Sequence, residues 1–543
     1  MTKGLKRSII ALILALTMTV PAFAVGLDQV KVQKSVKNVI MMIPDGMSTD
    51  VVTLARWYNG GKALNLDEMA SGLVRTYSSD AAIADSAPAG TAFATGFKSH
   101  TGYVGVLPDV NTMPGLPALD ASKKKAPVAT ILEAAQLAGK ATGLVATSEI
   151  MHATPADFSA HFASRKAYDI LSMQEVYQEI DVVLGAGTSY LKKSGRSDGN
   201  DLLSVIQANY QYADTVAEMN AVTSGKLWGM FADTSMDYDF DRDPAKQPSL
   251  AEMTAKAIAL LSQDNEGFFL MVEGSKIDWA AHANDPIGLI SDCLAYDEAV
   301  GVALDFAKKN GNTVVISCTD HGNSGISIGN VDTSTTYDKL PLSTFIDPLK
   351  KATLTGEGLE RVLNADRSNV VEVMAQYYGI TDLTQEEIAA IKKTANGSMN
   401  YTVGPMIAKR ASLGFTTTGH TGEDVTLYVY APSGVDQLTG TVENTDIARY
   451  MEKVMGVSLE KATAKLFVLA RSAFEAKGAT VSFDNTDPKN PVLKAVKGTT
   501  EIKLPIYTNI AYVNGVPTKL DGVTVFDGAG KTYVPQSAVD LIK

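Results

Sequence analysis

Apolar and polar positions along this chain follow two different periods in turn. Asn38–Ile43 is a continuous, largely apolar run that ends in a sharp Pro44-Asp45-Gly46 turn, the pattern of a strand buried on both faces. Ala126–Ala138 has helical spacing, and Ala141–Ala146 and Asp181–Leu184 read as strands. Leu250–Leu261 and Cys293–Ala307 read as helices, Phe268–Val272 and Val314–Ser317 as strands. Strands alternating with helices predict an α/β fold, a mostly parallel central sheet with helices on both faces. Such sheets place their ligands beyond the carboxyl ends of the strands.

The alternation is broken twice. Residues 334–408 carry two short amphipathic helices, Val370–Tyr378 and Gln385–Lys393, in an irregular stretch. They read either as an insertion forming a lid or rim over a site, or as a solvent-facing excursion. After residue 460 come short, Gly- and Pro-punctuated strands, Ala479–Phe483, Ile502–Pro505, Ala511–Val513 and Val523–Phe526. They predict a small α+β domain over 461–543, leaving 25–460 as the main domain.

The start of the chain has a different texture. Lys3, Lys6 and Arg7 precede a nearly all-apolar Ile9–Val20, and Ala22-Phe23-Ala24 follows. This is the layout of a signal peptide over residues 1–24, with an uncleaved anchor as the alternative. Export to the envelope or beyond is expected, with no membrane span after cleavage. Removing three basic side chains of 48 leaves 45 against 60 acidic ones. So acidic a surface argues against nucleic acid or anionic lipid as partners. It also requires that any site for an anionic substrate draw its positive charge from a local source such as bound cations. Two cysteines, Cys293 and Cys318, exclude a disulfide framework or a cysteine-ligated zinc site. One bridge or two inert thiols both remain open.

Candidate chemistry collects at the predicted strand ends: Asp45, the pair Asp85-Ser86, Glu273 with Asp278 and His282, Asp320-His321, and Gly419-His420-Thr421-Gly422. Three of only six histidines fall in these clusters, and histidine with carboxylate is the zinc donor set when cysteine is absent. Asp278 and His282 stand four apart, on one face of a helix. Ser86 opens a run of small residues entering a helix, where backbone N–H groups favour phosphate and a serine also serves as a plain N-cap. Each cluster alone is as compatible with a structural pair as with a ligand.

Taken in order, Ile43-Pro44-Asp45-Gly46-Met47-Ser48, Asp85-Ser86-Ala87, His152-Ala153-Thr154-Pro155-Ala156, Ser164-Arg165, Glu273-Gly274 with Asp278 and His282, Asp320-His321-Gly322 and Gly419-His420-Thr421-Gly422 resemble the alkaline phosphatase family over nearly all of residues 38–455. The resemblance implies a secreted phosphomonoesterase that works through a phosphoserine, with two Zn2+ and one Mg2+ per subunit. It implies Ser86 as nucleophile and Arg165 as the clamp on phosphate. It implies Asp278, His282 and His420 on the first zinc, Asp320, His321 and Asp45 on the second, and Asp45, Thr154 and Glu273 on magnesium. His152 and Trp279 stand where some bacterial relatives have Asp and Lys, so they are expected just outside the metals. His161 is expected one helical turn before Arg165, supporting it by packing, and His100 has no evident partner. A homodimer is left open.

A sulfatase would need an Arg to close the signature at Ser86-Ala87-Pro88-Ala89-Gly90, and none is there. The tail resembles the N-terminal module of copper amine oxidases at Ala479-Thr480-Val481-Ser482-Phe483-Asp484, Tyr512-Val513-Asn514-Gly515 and Tyr533-Val534-Pro535. It has no Cys or His, so no copper is assigned to it. Envelope association or a stabilising appendage are its two readings. Because every catalytic motif ends by Gly422, deletion of 465–543 is expected to spare turnover.

Overall fold

The computed structural model describes residues 26–543, so the expected leader lies outside the described residues. A ten-stranded sheet organises the main domain. Its strands are β1 (Asn38–Ile43), β2 (Ala70–Arg75), β3 (Ala141–Glu149), β4 (Val182–Ala186), β5 (Gln211–Ala213), β6 (Leu227–Met230), β7 (Phe268–Glu273) and β8 (Thr313–Cys318), followed by Val425–Tyr430 and Gly440–Glu443. From one edge the order is Gly440–Glu443, β2, Val425–Tyr430, β8, β1, β7, β3, β4, β6, β5. Neighbours from β8 to β5 run parallel, and Val425–Tyr430 runs antiparallel to both β8 and β2. Strands β1, β7 and β8 are buried along their whole length, which is why the sequence shows them as unbroken apolar runs.

Helix boundaries follow capping chemistry. The helix expected over Ala126–Ala138 starts only at Ile131, because Thr130 and Glu133 close a capping box, each side chain bonding the other's backbone N–H. Cys293–Ala307 is the later part of one long helix, Pro286–Asn310. Asp285 caps its start, Pro286 occupies the first turn, and Gly311 ends it at φ +66°. Cys293 and Cys318 are both free and buried. The Cys293 thiol lies 3.7 Å from Met47 Sδ, so neither forms a bridge.

The 334–408 segment is no solvent-facing excursion. Leu359, Val373, Met374, Ile391, Val403 and Ile407, from four of its helices, join the core that backs the Leu250–Leu261 and Pro286–Asn310 helices. Its Glu357 accepts a hydrogen bond at 3.0 Å from the buried Lys276.

The C-terminal region builds a five-stranded antiparallel sheet, Thr480–Asp484 to Val516–Lys519, with its own small core around Phe474, Leu493, Ile502 and Leu504. It also packs against the main domain. Leu466, Phe467, Val523, Val525 and Tyr533 pack into the main-domain core itself, and Lys519 pairs with Glu179 of the main domain.

Candidate active site

Every candidate residue named from the sequence except His100 and His161 gathers beyond the carboxyl ends of β1, β3, β7 and β8 or on the segments that follow them. Asp45 comes two residues after β1, Glu273 ends β7, and Asp320 and His321 come directly after β8. Asp278 and His282 lie on the helix Lys276–His282, and Ser86 is the first residue of the helix Ser86–Thr95. Gly46 turns back at φ +66°, and a Cβ there would lie 2.6 Å from Asp278 Oδ1, so only glycine lets the β1 turn meet that helix.

Three imidazoles are oriented in the same way. Nδ1 of His282 donates to the Thr418 carbonyl (2.7 Å), that of His420 to Ala84 (2.8 Å) and that of His321 to Gly322 (3.2 Å). With Nδ1 held by a carbonyl, each Nε2 is turned into the site, the orientation that metal-bound histidines adopt. The Nε2 atoms converge. That of His420 is 3.2 Å from that of His282 and 3.6 Å from Asp278 Oδ1, and that of His282 is 3.3 Å from Asp278 Oδ2. His321 Nε2 lies 3.2 Å from Asp320 Oδ2, 3.6 Å from Asp45 Oδ1 and 3.1 Å from Ser86 Oγ. The His321 and His420 rings stack at 3.6 Å.

Donor atoms fall into three groups, each within 4.8 Å: Asp278, His321 and His420; Asp45, Asp320 and His321; Asp45, His152 and Glu273. Both Asp45 oxygens, Glu273 Oε1, Asp320 Oδ2, Thr154 Oγ1 and His152 Nδ1 are buried without a hydrogen-bond partner. Orphaned buried acceptors at this density call for cations, or in their absence protons, to satisfy them. The crowding also shifts the ionisable groups. Burial, then the charges of Asp320, Asp278 and Glu273, push Asp45 well above the usual carboxylate range. Burial likewise raises Glu273 to about 8. Burial lowers His282 but the neighbouring Asp278 carboxylate outweighs it, raising the imidazole to about 9. The donors fit divalent metals.

Arg165 approaches from the other side. One guanidinium nitrogen bonds Asp85, and the second lies 3.0 Å from His152 Nε2. Asp85 Oδ2 accepts from the Gly102 amide (3.1 Å). These commitments explain why Asp85 occupies the N-cap position of the Ser86 helix without capping it. Trp279 stands edge-on to His152 at 6.0 Å and over the Lys276 ammonium at 4.8 Å.

Two histidine expectations need correction. His161 lies in an extended segment, not a helix, so it is not one turn before Arg165. Its Nδ1 donates to the Gly105 carbonyl (2.7 Å), and its Nε2 lies 3.1 Å from Glu133. His100 has partners, Asp80 at 3.5 Å and the Tyr103 ring at 4.8 Å. Sequence reasoning also missed residues that orient others. The Asn323 amide donates to Asp278 Oδ1 (2.6 Å), and Ser48 donates to Glu423 (2.7 Å). Their one signal is adjacency, since Asn323 follows Asp320-His321-Gly322 and Glu423 follows the Gly419–Gly422 motif.

A family model described as alkaline phosphatase matches residues 36–457. Another, described as copper amine oxidase N-terminal domain, matches residues 452–541. Alkaline phosphatase 4 of Bacillus subtilis is 36% identical over 439 residues, covering 77% of this chain and 89% of the relative. The repressible alkaline phosphatase of Saccharomyces cerevisiae is 32% identical over 486 residues, covering 79% and 82%. Among solved structures, Thermus thermophilus alkaline phosphatase superposes with a TM-score of 0.69 at 27% identity, over 80% of this chain and 96% of that one. A cold-active enzyme of Shewanella sp. gives 0.66 at 27% identity, over 77% and 99%. Fold and site thus define a phosphatase with candidate metal-binding groups. The chain belongs to the alkaline phosphatase family, with a copper amine oxidase N-terminal domain at its C-terminus.

Proposed function

We propose that this enzyme is exported and hydrolyses phosphate monoesters through a phosphoserine at Ser86, with two zinc ions and one magnesium ion held by the clustered carboxylates and imidazoles. Asp278, His282 and His420 would hold one zinc and Asp45, Asp320 and His321 the other. Asp45, Glu273 and Thr154 would hold magnesium, with His152 beside them. When bound, the ions supply the positive charge that lowers the serine hydroxyl's pKa and stabilises the attacking and leaving oxygens. The leader over residues 1–24 supports export.

The observation that carries the reading is the placement of Ser86. Its Oγ stands 3.1 Å from His321 Nε2, at the N-terminus of a fully buried ten-residue helix. The positive end of that helix favours a phosphoryl group on the serine. Ser86 Oγ attacks phosphorus, the P–O bond to the alcohol breaks on the opposite face, and water then cleaves the phosphoserine. Arg165 contributes a planar fork for two phosphoryl oxygens. Asp85 and His152 fix its direction beforehand, which lowers the ordering cost at the moment of binding.

Acid-quenched reactions with a phosphate ester, digested and weighed, are expected to show one phosphoryl group on the Ser86 peptide. Ser86→Ala is expected to lose turnover by roughly a thousandfold or more while keeping its zinc. An unmodified peptide, with activity in the alanine variant within tenfold of the parent, would rule the intermediate out.

A further inference from the structure

The loop that carries Arg165 is held from two sides, and one of them is the C-terminal module. Val104 and Phe162 exchange both backbone hydrogen bonds (2.9 and 2.8 Å), joining the 102–106 and 160–165 segments into one unit. Arg165 leaves that unit with its own amide on the Gly102 carbonyl (2.7 Å), and the Gly102 amide in turn holds Asp85. His161 fastens the same segments through Gly105.

The outer side of this unit is covered by the tail. The Phe467 ring lies 4.6 Å from His161 at 67°. The Tyr507 ring meets Phe162 edge-on at 6.3 Å and 89°. Gly528 stands against the same ring, where an added Cβ would lie 3.6 Å away. Tyr507 reaches this position from a left-handed backbone, φ +67°, which a bulky residue keeps only when its surroundings impose it. Its amide donates to Thr524 (2.7 Å) and its hydroxyl to Phe526 (3.1 Å). Lys531 adds a bond to the Ser122 carbonyl (2.6 Å) on the neighbouring main-domain surface.

We infer that the C-terminal module is a positioning element of the phosphate clamp: Tyr507 and Phe467, acting through Phe162 and His161, fix the loop from which Arg165 projects. The inference rests on the reading of Arg165 as the group that grips phosphate. A loop left uncovered samples more conformations, and the cost of ordering it again falls on each phosphate bound. The proposed zinc donors Asp45, Asp278, His282, Asp320, His321 and His420 all lie outside the 102–106 and 160–165 segments. Loss of the buttress should therefore weaken phosphate binding and leave zinc content alone.

The test uses the full-length, metal-loaded enzyme and inhibition by inorganic phosphate. Tyr507→Ala is expected to weaken inhibition and raise KM by about tenfold, with kcat no lower than the parent's and zinc content close to it. Tyr507→Phe, which keeps the ring and loses only the hydroxyl, is expected to behave as the parent. Phe162→Leu removes the same contact from the other partner and should reproduce the alanine effect if Tyr507→Ala does not fold. On an Arg165→Ala background the Tyr507 substitution should change nothing further, because the group it positions is gone. Parent-like phosphate inhibition in Tyr507→Ala and Phe162→Leu would overturn the inference. So would an equal loss with and without Arg165. Phosphate inhibition unchanged by Arg165→Ala alone would instead overturn the clamp reading beneath it.

Discussion

His152 shows how one side chain sits between two tasks. Its Nε2 meets Arg165 at 3.0 Å, while a ring nitrogen lies within 4.8 Å of carboxylate oxygens of Asp45 and Glu273. A neutral imidazole is a weak partner for a guanidinium and for magnesium alike, whereas a carboxylate would bind both more tightly. His152→Asp is therefore expected to lower the magnesium concentration needed for full activity. It should also slow phosphate release, and with it alkaline turnover, by about tenfold, the scale of one added charge-assisted hydrogen bond. Magnesium titrations and phosphate inhibition read this directly, and identical curves for parent and variant would contradict it. At this scale the sequence was legible where residue type is scarce. With six histidines in the chain, three beside carboxylates at strand ends stand out. Asp85 and Asn323 act by orienting other groups, which demands no rare residue type and leaves no spacing to read. His161 was misplaced because a four-residue gap implies a shared face only inside a helix.

The helix Lys276–His282 brings Asp278 and His282 to the site, and a buried ammonium anchors it. Lys276 is fully buried, 3.0 Å from Glu357, with its charge 4.1 Å from the Tyr238 ring centre. Removing the charge of Glu357 leaves that cation without its counter-ion. Since Glu357 is about one-third exposed, water softens the penalty to about 1–2 kcal/mol, below the cost of a fully buried pair. Glu357→Gln should lower the denaturation midpoint accordingly and weaken zinc retention during dialysis. A parent-like midpoint together with parent-like zinc retention would contradict the anchoring role. Among elements, β1, β7 and β8 could be read because burial on both faces writes them as apolar runs. The integration of the 334–408 helices could not, since amphipathic spacing shows that a helix has an apolar face but not what that face meets.

Across the whole molecule, acidic side chains outnumber basic ones by 60 to 48, and four carboxylates, Asp45, Glu273, Asp278 and Asp320, are buried together. For metal-stripped protein this sets a pH dependence. Burial first, then Asp320 and Asp278, raises Glu273 to about 8, above its unfolded value of about 4.3. The folded state therefore binds the proton more tightly. Its stabilisation is full below the unfolded value and is lost as pH rises through about 8. Asp45 is shifted in the same direction. Stripped enzyme should melt at a lower temperature at pH 8.5 than at pH 6, and the metal-loaded enzyme should lose this difference because cations replace the protons. Equal melting of stripped protein at both values would refute the assignment of these carboxylates to a cation site. The tail's character as a module was legible in its motifs, but what it packs against was not. The last catalytic motif ends at Gly422, yet chain order does not reveal that Phe467 and Val525 complete the core beneath the site.

The central claim is that these clustered donors, with Ser86 and Arg165, make a metal-dependent phosphomonoesterase. Its most direct measurement is hydrolysis of p-nitrophenyl phosphate by the purified enzyme before EDTA dialysis, after it, and after zinc and magnesium are returned. Turnover at alkaline pH that disappears on dialysis and returns with the metals is the predicted result. Undiminished turnover in the dialysed enzyme, or none in folded enzyme carrying its metals, would contradict the account.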